Sequence, residues 1–327
     1  MPKLSISKGL AAKFFVSAGL LYWLLSGTNF SEIVTSLQNA NYGLLAIAFL
    51  LHPVGLLISA LRWKLLLTIR GSTPRLRFLV ESYFVGMFFN NFLPSTIGGD
   101  VYRAYDSWRL GQSKSSAFAI VFIDRMLGVL ALAIFAVCAL LIDDRFTKSV
   151  PHLWLWISLV TLGLILVVYL IFFTPDFLLD FFSKKKFFSG RALGKKIDSI
   201  IDAFLAFRGQ RLTLFQAMGL SILLQINVVI HFVLIGFAMG LSVPLSGYFL
   251  IIPLVTIILM LPVSINGVGI RESSFAIFLA GYGVVKSDAI AFAWIGFIMV
   301  LIQSVLGGIL YALRSDLPKE NSPNNPS

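Results

Sequence analysis

Long apolar runs separated by short polar stretches make up most of this chain. An α-helix needs about 20 mainly apolar residues to cross the hydrocarbon core of a bilayer. Because several runs approach or exceed that length, the pattern predicts an all-α polytopic membrane protein. We predict about six full transmembrane helices, at 14–25, 43–61, 117–142, 153–173, 212–240 and 289–313.

Two further apolar runs are interrupted by polar residues. The first, at 78–94, contains Asn90 and Asn91 and runs into LPSTIGGDVYR; the second, at 248–262, runs into LPVSINGVGIRE. A bilayer offers no water to free backbone groups, so such breaks persist only where protein or a wet cavity surrounds them. We therefore predict two re-entrant broken helices, with structural breaks at Pro94, Gly98, Gly99, Pro262, Gly267 and Gly269.

The two breaks resemble each other in sequence. Leu93–Arg103 can be laid without a gap over Leu261–Arg271, and Leu, Pro, Ile, Gly and Arg then coincide in the same order. Broken helices at matching places in two halves are typical of transporters built as inverted repeats, which bind substrate at the breaks. We predict one membrane domain over 1–313, with half-repeats at roughly 43–173 and 212–313.

Basic residues are concentrated between the apolar runs, and their positions predict the orientation. If both broken elements enter the membrane and return, most of the 26 Lys and Arg residues fall on one side. The positive-inside rule makes that side cytoplasmic. This predicts a multi-pass protein of the plasma membrane (the inner membrane of a bacterium) with both termini in the cytoplasm. The basic amphipathic stretch 174–211 becomes a cytoplasmic linker, and the polar tail 314–327 is predicted to be disordered.

Composition excludes several classes of function. The chain is 58% hydrophobic and 13% charged, and the apolar runs leave little room for a soluble catalytic domain, so we do not predict an enzyme. A net charge of +11 between apolar runs fits anionic lipid head groups better than nucleic acid. Cys138 is the single cysteine, and His52, His152 and His231 lack metal-ligand spacing. We therefore predict neither a metal nor a cofactor.

Charged residues directly after the breaks are candidates for binding a lipid head group. Arg103 and Asp100 follow the first break, and Arg271 and Glu272 follow the second. An arginine can bind phosphate through two parallel hydrogen bonds, which suits a phospholipid or a polyprenyl phosphate. Glycines beside them could expose backbone amides to an anion. The alternative is that these arginines anchor helix ends at the membrane interface.

Asp124 and Arg125 lie inside a predicted span, where a charge costs about 2.5–3.5 kcal/mol on insertion scales. Either Arg125 binds an anionic head group that Asp124 helps to orient, or the two belong to an internal ion pair that locks helices together. Asn91 and Asn266 offer uncharged donors and acceptors beside the breaks. They either bind ligand or satisfy backbone groups that the breaks leave free.

The segments LPSTIGGDVYR, IDRMLG (Ile123–Gly128) and LPVSINGVGIRE occur in this order. With them, the chain resembles the membrane region of lysylphosphatidylglycerol synthase/flippase proteins, also called flippase-like or YbhN-like proteins, over about 10–313. The resemblance implies lipid transport without the soluble synthase domain. It also implies functional roles for Asn91, Pro94, Gly98, Gly99, Asp100, Arg103, Asp124, Arg125, Asn266, Gly267, Arg271 and Glu272.

These observations lead to one functional hypothesis and one alternative. The hypothesis is an integral membrane lipid translocase that moves a polar-headed phospholipid or lipid-linked precursor between leaflets. Its partners would be anionic or aminoacylated phospholipids, or polyprenyl-phosphate-linked lipids. The alternative is a non-transporting partner or scaffold of a lipid-modifying enzyme or glycosyltransferase. Protein partners under either hypothesis are such an enzyme or a second copy of the chain.

Overall fold

The computed structural model describes residues 38–92, 98–142, 202–260 and 266–314, with isolated positions at 31, 34–35, 155, 158–159, 161–166, 169, 199 and 264. Several predictions fall wholly or largely outside these residues and stay predictions: the spans at 14–25 and 153–173, the linker at 174–211, the tail at 314–327, and the breaks at Pro94 and Pro262. The described part contains the helices α1 (Tyr42–Ile69), α2 (Leu76–Phe92), α3 (Gly98–Arg109), α4 (Lys114–Ile142), α5 (Arg211–Ala238), α6 (Leu245–Met260), α7 (Ile270–Ala280) and α8 (Lys286–Leu313).

Four of the described helices, α1, α4, α5 and α8, are long and apolar enough to cross a membrane. Each has 28 or 29 residues, which corresponds to about 42 Å of helix at 1.5 Å per residue. The other four helices have 11 to 17 residues. Because the described residues are helical and contain no strand, the prediction of an all-α polytopic membrane protein is confirmed.

Both predicted broken elements are antiparallel pairs of helices. In the first pair, Gly86 of α2 touches Gly99 at the start of α3, and Ser82, earlier in α2, hydrogen-bonds Asp106 near the end of α3. In the second pair, Leu259 near the end of α6 lies beside Gly267, and Gly247 near its start lies beside Tyr282, which follows α7. The chain therefore reverses direction between α2 and α3, and again between α6 and α7.

Helix α3 is amphipathic in the opposite sense to a helix of a soluble protein. Its polar residues Arg103, Asp106 and Ser107 are buried, whereas the large apolar residues Val101, Tyr105 and Trp108 are 45–64% exposed. Water would disfavour such an arrangement, but lipid favours it, because apolar side chains then face acyl chains and polar ones find partners inside the protein. This helix was not among the elements predicted from the sequence.

Helices α1 and α5 pack against each other along their length and run in opposite directions. At one end, the backbone amide of Asn41 donates to the carbonyl of Ala238, 2.7 Å away. At the other end, Arg62 Nη1 donates to Ser221 Oγ at 2.9 Å. The start of α1 therefore lies beside the end of α5, and the later part of α1 lies beside the earlier part of α5.

The eight described helices form two sets of four with matching lengths. Helices α1 to α4 have 28, 17, 12 and 29 residues, and α5 to α8 have 28, 16, 11 and 28. The packing matches as well: α2 packs on α8, and its counterpart α6 packs on the counterpart of α8, which is α4. The first set ends at Ile142, whereas the half-repeat predicted from the sequence continues to 173.

Glycines allow α2 and α8 to come unusually close. A Cβ atom added to Gly307 would collide with the backbone carbonyl of Phe84, and one added to Gly308 would lie 2.8 Å from the ring of Phe88. Small residues at helix contacts are a common means of close packing in membrane proteins. The neighbouring residue Asn91 also binds Ser304 across this contact.

We predict that Gly307→Ala destabilises the protein, because the obstacle is backbone and cannot rotate away. Overpacking of this kind costs about 1–3 kcal/mol. The matched control is Gly219→Ala in α5, where an added Cβ meets nothing within 4 Å. The measurement is the thermal unfolding midpoint of the purified variants in detergent. Equal midpoints for the two variants would contradict the close contact between α2 and α8.

Candidate functional site

A cluster of five charged side chains lies among the first four helices. Asp124 of α4, 1% exposed, binds Arg62 Nε of α1 through Oδ1 at 2.6 Å and Arg103 Nη2 of α3 through Oδ2 at 2.9 Å. Arg103 also lies 3.6 Å from a carboxylate oxygen of Asp100, which forms an ion pair with Arg125. Four of the predicted site residues are therefore in one connected network.

Aromatic and hydroxyl side chains complete this network. The guanidinium of Arg103 lies 4.2 Å from the ring centre of Tyr83 and 4.7 Å from that of Trp63. The Tyr83 hydroxyl is 3.3 Å from Asp124 Oδ2. With the bond from Arg62 to Ser221, the network joins α1, α2, α3, α4 and α5. Of the two alternatives for Asp124, this geometry supports the internal ion pair.

Arg62 is a member of this network that the sequence analysis missed as a site residue. It stood at the end of an apolar run, directly before further basic residues, and was attributed to topology. Helix α1 continues to Ile69, however, so Arg62 lies within the membrane-length helix and is 5% exposed. A buried arginine is stabilised by a carboxylate partner. Asp124, inside the predicted span 117–142, was a candidate for that partner.

Arg271 of α7 lies in different surroundings. Its Nη2 donates to the backbone carbonyl of Asn266 at 2.8 Å, and its guanidinium lies 3.9 Å from the ring centre of Phe297. Its Nη1 is buried and has no hydrogen-bond partner among the described residues. A buried charged donor without a partner is costly, which makes this nitrogen a candidate for binding an anion.

The Arg271 cavity, as we call it, is a space of about 150 Å³ beside this side chain. Five helices line it: α2, α5, α6, α7 and α8. Its walls are mainly apolar, and the polar side chains among them are those of Arg271, Asn91 and Thr256. The lining residues are Asn91, Phe232, Ile252, Val255, Thr256, Leu259, Arg271, Phe275, Gly296, Phe297 and Val300.

The two helical hairpins meet beside the Arg271 cavity. Asn266, in the turn before α7, has a positive φ of 55° and donates a side-chain hydrogen bond to the backbone carbonyl of Asn91. The side chain of Asn91 donates to Ser304 Oγ at 2.8 Å and to the Met87 carbonyl at 3.0 Å. Both predicted asparagines thus satisfy backbone or helix contacts, and Asn91 also faces the cavity.

The turn before α7 depends on glycine and on Glu272. Gly267 and Gly269 have φ angles of 71° and 83°, in the left-handed region that favours glycine. Glu272 Oε2 accepts a hydrogen bond from the Gly269 amide at 2.7 Å, while its Oε1 is buried without a partner among the described residues. At the first break, Gly98 and Gly99 open α3, and the Gly99 amide donates to Asn90 Oδ1 at 2.7 Å.

Matching helix positions carry different residues in the two sets. Asp124 and Gly296 lie equally far from the starts of α4 and α8, and so do the next residues, Arg125 and Phe297. A charged pair in the first set is therefore replaced in the second by a glycine and a phenylalanine that line the cavity. Arg271 is the second residue of α7, whereas Arg103 is the sixth of α3. The two arginines, paired by sequence, thus differ in helix position.

The fold and this site define a polytopic helical membrane protein with buried charge between antiparallel helical hairpins. The chain belongs to the family described as the lysylphosphatidylglycerol synthase TM region, which matches residues 10–308.

Curated relatives in archaea carry the name UPF0104 membrane protein. One from Pyrococcus horikoshii is 26% identical over 315 residues, which are 89% of this chain and 92% of the relative. One from Methanocaldococcus jannaschii is 29% identical over 178 residues, 52% of each chain. A third, from Methanothermobacter thermautotrophicus, is 28% identical over 96 residues, 29% of this chain and 27% of the relative. These names state a membrane protein and no activity.

We predict that Asp124→Asn strongly destabilises the protein, because it leaves Arg62 buried without a carboxylate partner and Arg103 with Asp100 alone. Breaking a buried ion pair from one side costs roughly 3–5 kcal/mol. The measurement is the thermal unfolding midpoint and the monodisperse yield in detergent.

The matched control for this prediction is Glu81→Gln. Glu81 pairs with Arg77 at 2.8 Å, but the Arg77 side chain is 90% exposed, and exposed pairs contribute about 0–1 kcal/mol. If Asp124→Asn is tolerated as well as Glu81→Gln, the network does not hold the first four helices together.

Proposed function

We propose that this protein is a lipid translocase that binds the phosphate of a phospholipid or lipid-linked precursor in the Arg271 cavity. The observation that carries the proposal is the buried Nη1 of Arg271, which has no partner among the described residues and borders an apolar space. The acyl chains would stay in the surrounding lipid. The proposal involves no catalytic step.

Electrostatics favours an oxyanion at this position. Hydrogen bonds between arginine and phosphate oxygens are charge-assisted and roughly twice as strong as neutral ones. Low polarity around the guanidinium, which stacks on Phe297, strengthens the attraction further. Asn91 and Thr256 could bind the uncharged polar atoms of a head group. The ion-pair network is a poorer receptor, because two carboxylates already offset Arg62 and Arg103.

The arrangement of the helices supports alternating access by an inverted repeat. Helices α1 and α5 hold equivalent places in the two sets and run antiparallel, so a two-fold axis relating the sets lies across the helices and therefore in the membrane plane. Transporters of this type bind substrate where broken elements of the two repeats meet. We accordingly propose that α2–α3 and α6–α7 are re-entrant hairpins, with Asn91 and Asn266 at their meeting point near mid-membrane.

The proposed orientation follows from charge. The cytoplasmic side of a bacterial plasma membrane would hold the basic residues of 62–77, the end of α8 and both chain termini. The lipid-facing surface of α3, with Tyr105 and Trp108 half-exposed and Arg109 in its last turn, fits an element that ends at the membrane interface, where tyrosine and tryptophan are enriched.

We predict that Arg271→Gln slows translocation of a fluorescent phosphatidylglycerol by about tenfold or more, the change expected when a charge-assisted hydrogen bond of about 1.5–3 kcal/mol is lost. The measurement uses proteoliposomes and follows the rate at which an impermeant reductant quenches the lipid. Arg271→Lys keeps the positive charge but loses the paired N–H donors of the guanidinium. Its translocation rate should therefore lie between those of the wild type and Arg271→Gln.

The matched control is Arg77→Gln, which removes an exposed arginine, and all variants must show the same unfolding midpoint as the wild type. Equal rates for Arg271→Gln and Arg77→Gln would refute the Arg271 cavity as the head-group site. Native mass spectrometry with lipid identification adds a second readout. Bulk lipid in every variant, with no transport by the wild type, would favour the scaffold function instead.

A further inference from the structure

Two of the three histidines lie together inside the membrane-length helices, and the proposed function makes no use of them. His52 of α1 and His231 of α5 have ring centres 6.3 Å apart. His52 Nδ1 lies 2.6 Å from Gln303 Oε1 of α8, and His231 Nδ1 lies 2.7 Å from the carbonyl of Ala48. Ionisable side chains at membrane depth are functional candidates, and histidines form proton relays in transporters.

Pro53 explains why the polar side chain of Gln303, from α8, lies beside His52. Proline has no amide hydrogen, so the carbonyl of Phe49 loses its helical donor. Gln303 Nε2 supplies that donor at 2.8 Å. The amide of Gln303 is thereby oriented with its nitrogen toward Phe49 and its oxygen toward His52.

This arrangement fixes the tautomers of both rings. Gln303 Oε1 and the Ala48 carbonyl can only accept hydrogen bonds, so Nδ1 of His52 and Nδ1 of His231 must both carry hydrogen. In each neutral ring, Nε2 is then the nitrogen that can take up a proton. The two rings are close enough that a proton on one disfavours a proton on the other, which limits the pair to one.

The other charged groups of α1, α5 and α8 lie far from the two histidines along the helix axes. Arg62 is almost three turns from His52, or about 15 Å at 1.5 Å per residue. The other titratable side chains of α1, α5 and α8 stand nearer the helix ends: Tyr42, Lys64, Arg211, Lys286, Asp288 and Tyr311. The titratable side chain of α6 is Tyr248, which contacts α5 at Gly236.

The helices α2, α4 and α7 also carry titratable side chains. Those of α2 and α4 are Arg77, Glu81, Tyr83, Lys114, Asp124, Arg125 and Cys138. Those of α7 are Arg271 and Glu272. Phe232 contacts both sites: it lines the Arg271 cavity, and its ring centre lies 5.1 Å from that of His231.

We propose that His52, Gln303 and His231 form a proton-binding site that takes up one proton when an anionic head group occupies the Arg271 cavity. This inference rests on the proposed function, and it identifies the proton as the ion whose movement is coupled to lipid transport. With the cavity empty, the positive charge of Arg271 opposes a second positive charge behind Phe232. A bound phosphate offsets that charge, so a proton on the histidines is no longer opposed by it.

The coupling must be reciprocal. If the lipid phosphate increases the affinity of the histidines for a proton, a proton increases the affinity of the cavity for the lipid by the same factor. Acid on the side where lipid enters therefore promotes loading, and release of the proton on the other side promotes release of the lipid. A proton gradient could in this way drive transport of an anionic lipid.

The direct test is NMR of ¹⁵N-histidine-labelled protein in nanodiscs, since imidazole nitrogen shifts distinguish the neutral Nδ1–H tautomer from imidazolium. His52→Gln, His152→Gln and His231→Gln assign the three signals. In phosphatidylglycerol, we expect the His52–His231 pair to take up one proton, at a pH about one unit or more above that in phosphatidylcholine, as expected for a nearby opposite charge.

Three outcomes would overturn this proposal: no proton uptake by the pair between pH 5 and 9, identical titration in the two lipids, or a lipid-dependent difference that survives in Arg271→Gln. Glutamine can replace the Nδ1–H donor of either histidine, so each variant should fold. If His231→Gln does not fold, His52→Gln alone still tests the site.

Transport supplies the second readout. In proteoliposomes with fluorescent phosphatidylglycerol, the wild type and His152→Gln should respond to external pH by up to about tenfold per unit, the limit for one linked proton. His52→Gln and His231→Gln should lose that response. A full response in both variants would overturn the proposal. Lipid-dependent titration without any transport by the wild type would instead leave the proton site standing and refute the translocase function.

Discussion

Lipid offers no hydrogen-bond partner, and this constraint accounts for most of the structure. Each charged or free backbone group at membrane depth must find its partner within the protein. Asp124 therefore binds two arginines from different helices, and Gln303 binds the carbonyl that Pro53 leaves free. The same constraint explains why the polar residues of α3 are buried while its aromatic residues face outward. Arg271 Nη1 is one of the buried polar atoms without a hydrogen-bond partner among the described residues, and under the proposed function a lipid phosphate binds it.

Local sequence was sufficient to predict the features that depend on local chemistry. Apolar runs of membrane length correspond to α1, α4, α5 and α8 within three residues at their ends, except that α1 continues eight residues past its predicted end, to Ile69. Asparagine and glycine inside apolar sequence lie beside the two places where the chain reverses direction. Helix α3 was missed because its composition is that of a soluble loop, and only its tertiary surroundings make it a helix. The helical spacing of Val101, Tyr105 and Trp108, four and three residues apart, was the signal in the sequence that could have identified it.

The candidate site could be predicted only in part, since its residues act through partners that are distant in sequence. Asp100, Arg103, Asp124 and Arg125 were candidates for binding a head group, with helix anchoring or an internal ion pair as the alternatives. The structure joins them to Arg62, and no local pattern reveals that pairing. The difference between Arg103 and Arg271 was also hidden. An ungapped alignment equates them, whereas the helices place them at different distances from their starts.

A repeat with two equal halves would give two equal sites, and this protein departs from that equality. In the first set, buried ion pairs and hydrogen bonds join its four helices to one another and to α5. In the second set, Arg271 borders a cavity and its Nη1 has no partner among the described residues. Gly296 and Phe297 lie as far from the start of α8 as Asp124 and Arg125 lie from the start of α4. Under the proposed function, we expect the ion-paired first set to stay fixed while the α6–α7 hairpin moves. Such a division would let an inverted repeat bind one head group at a time.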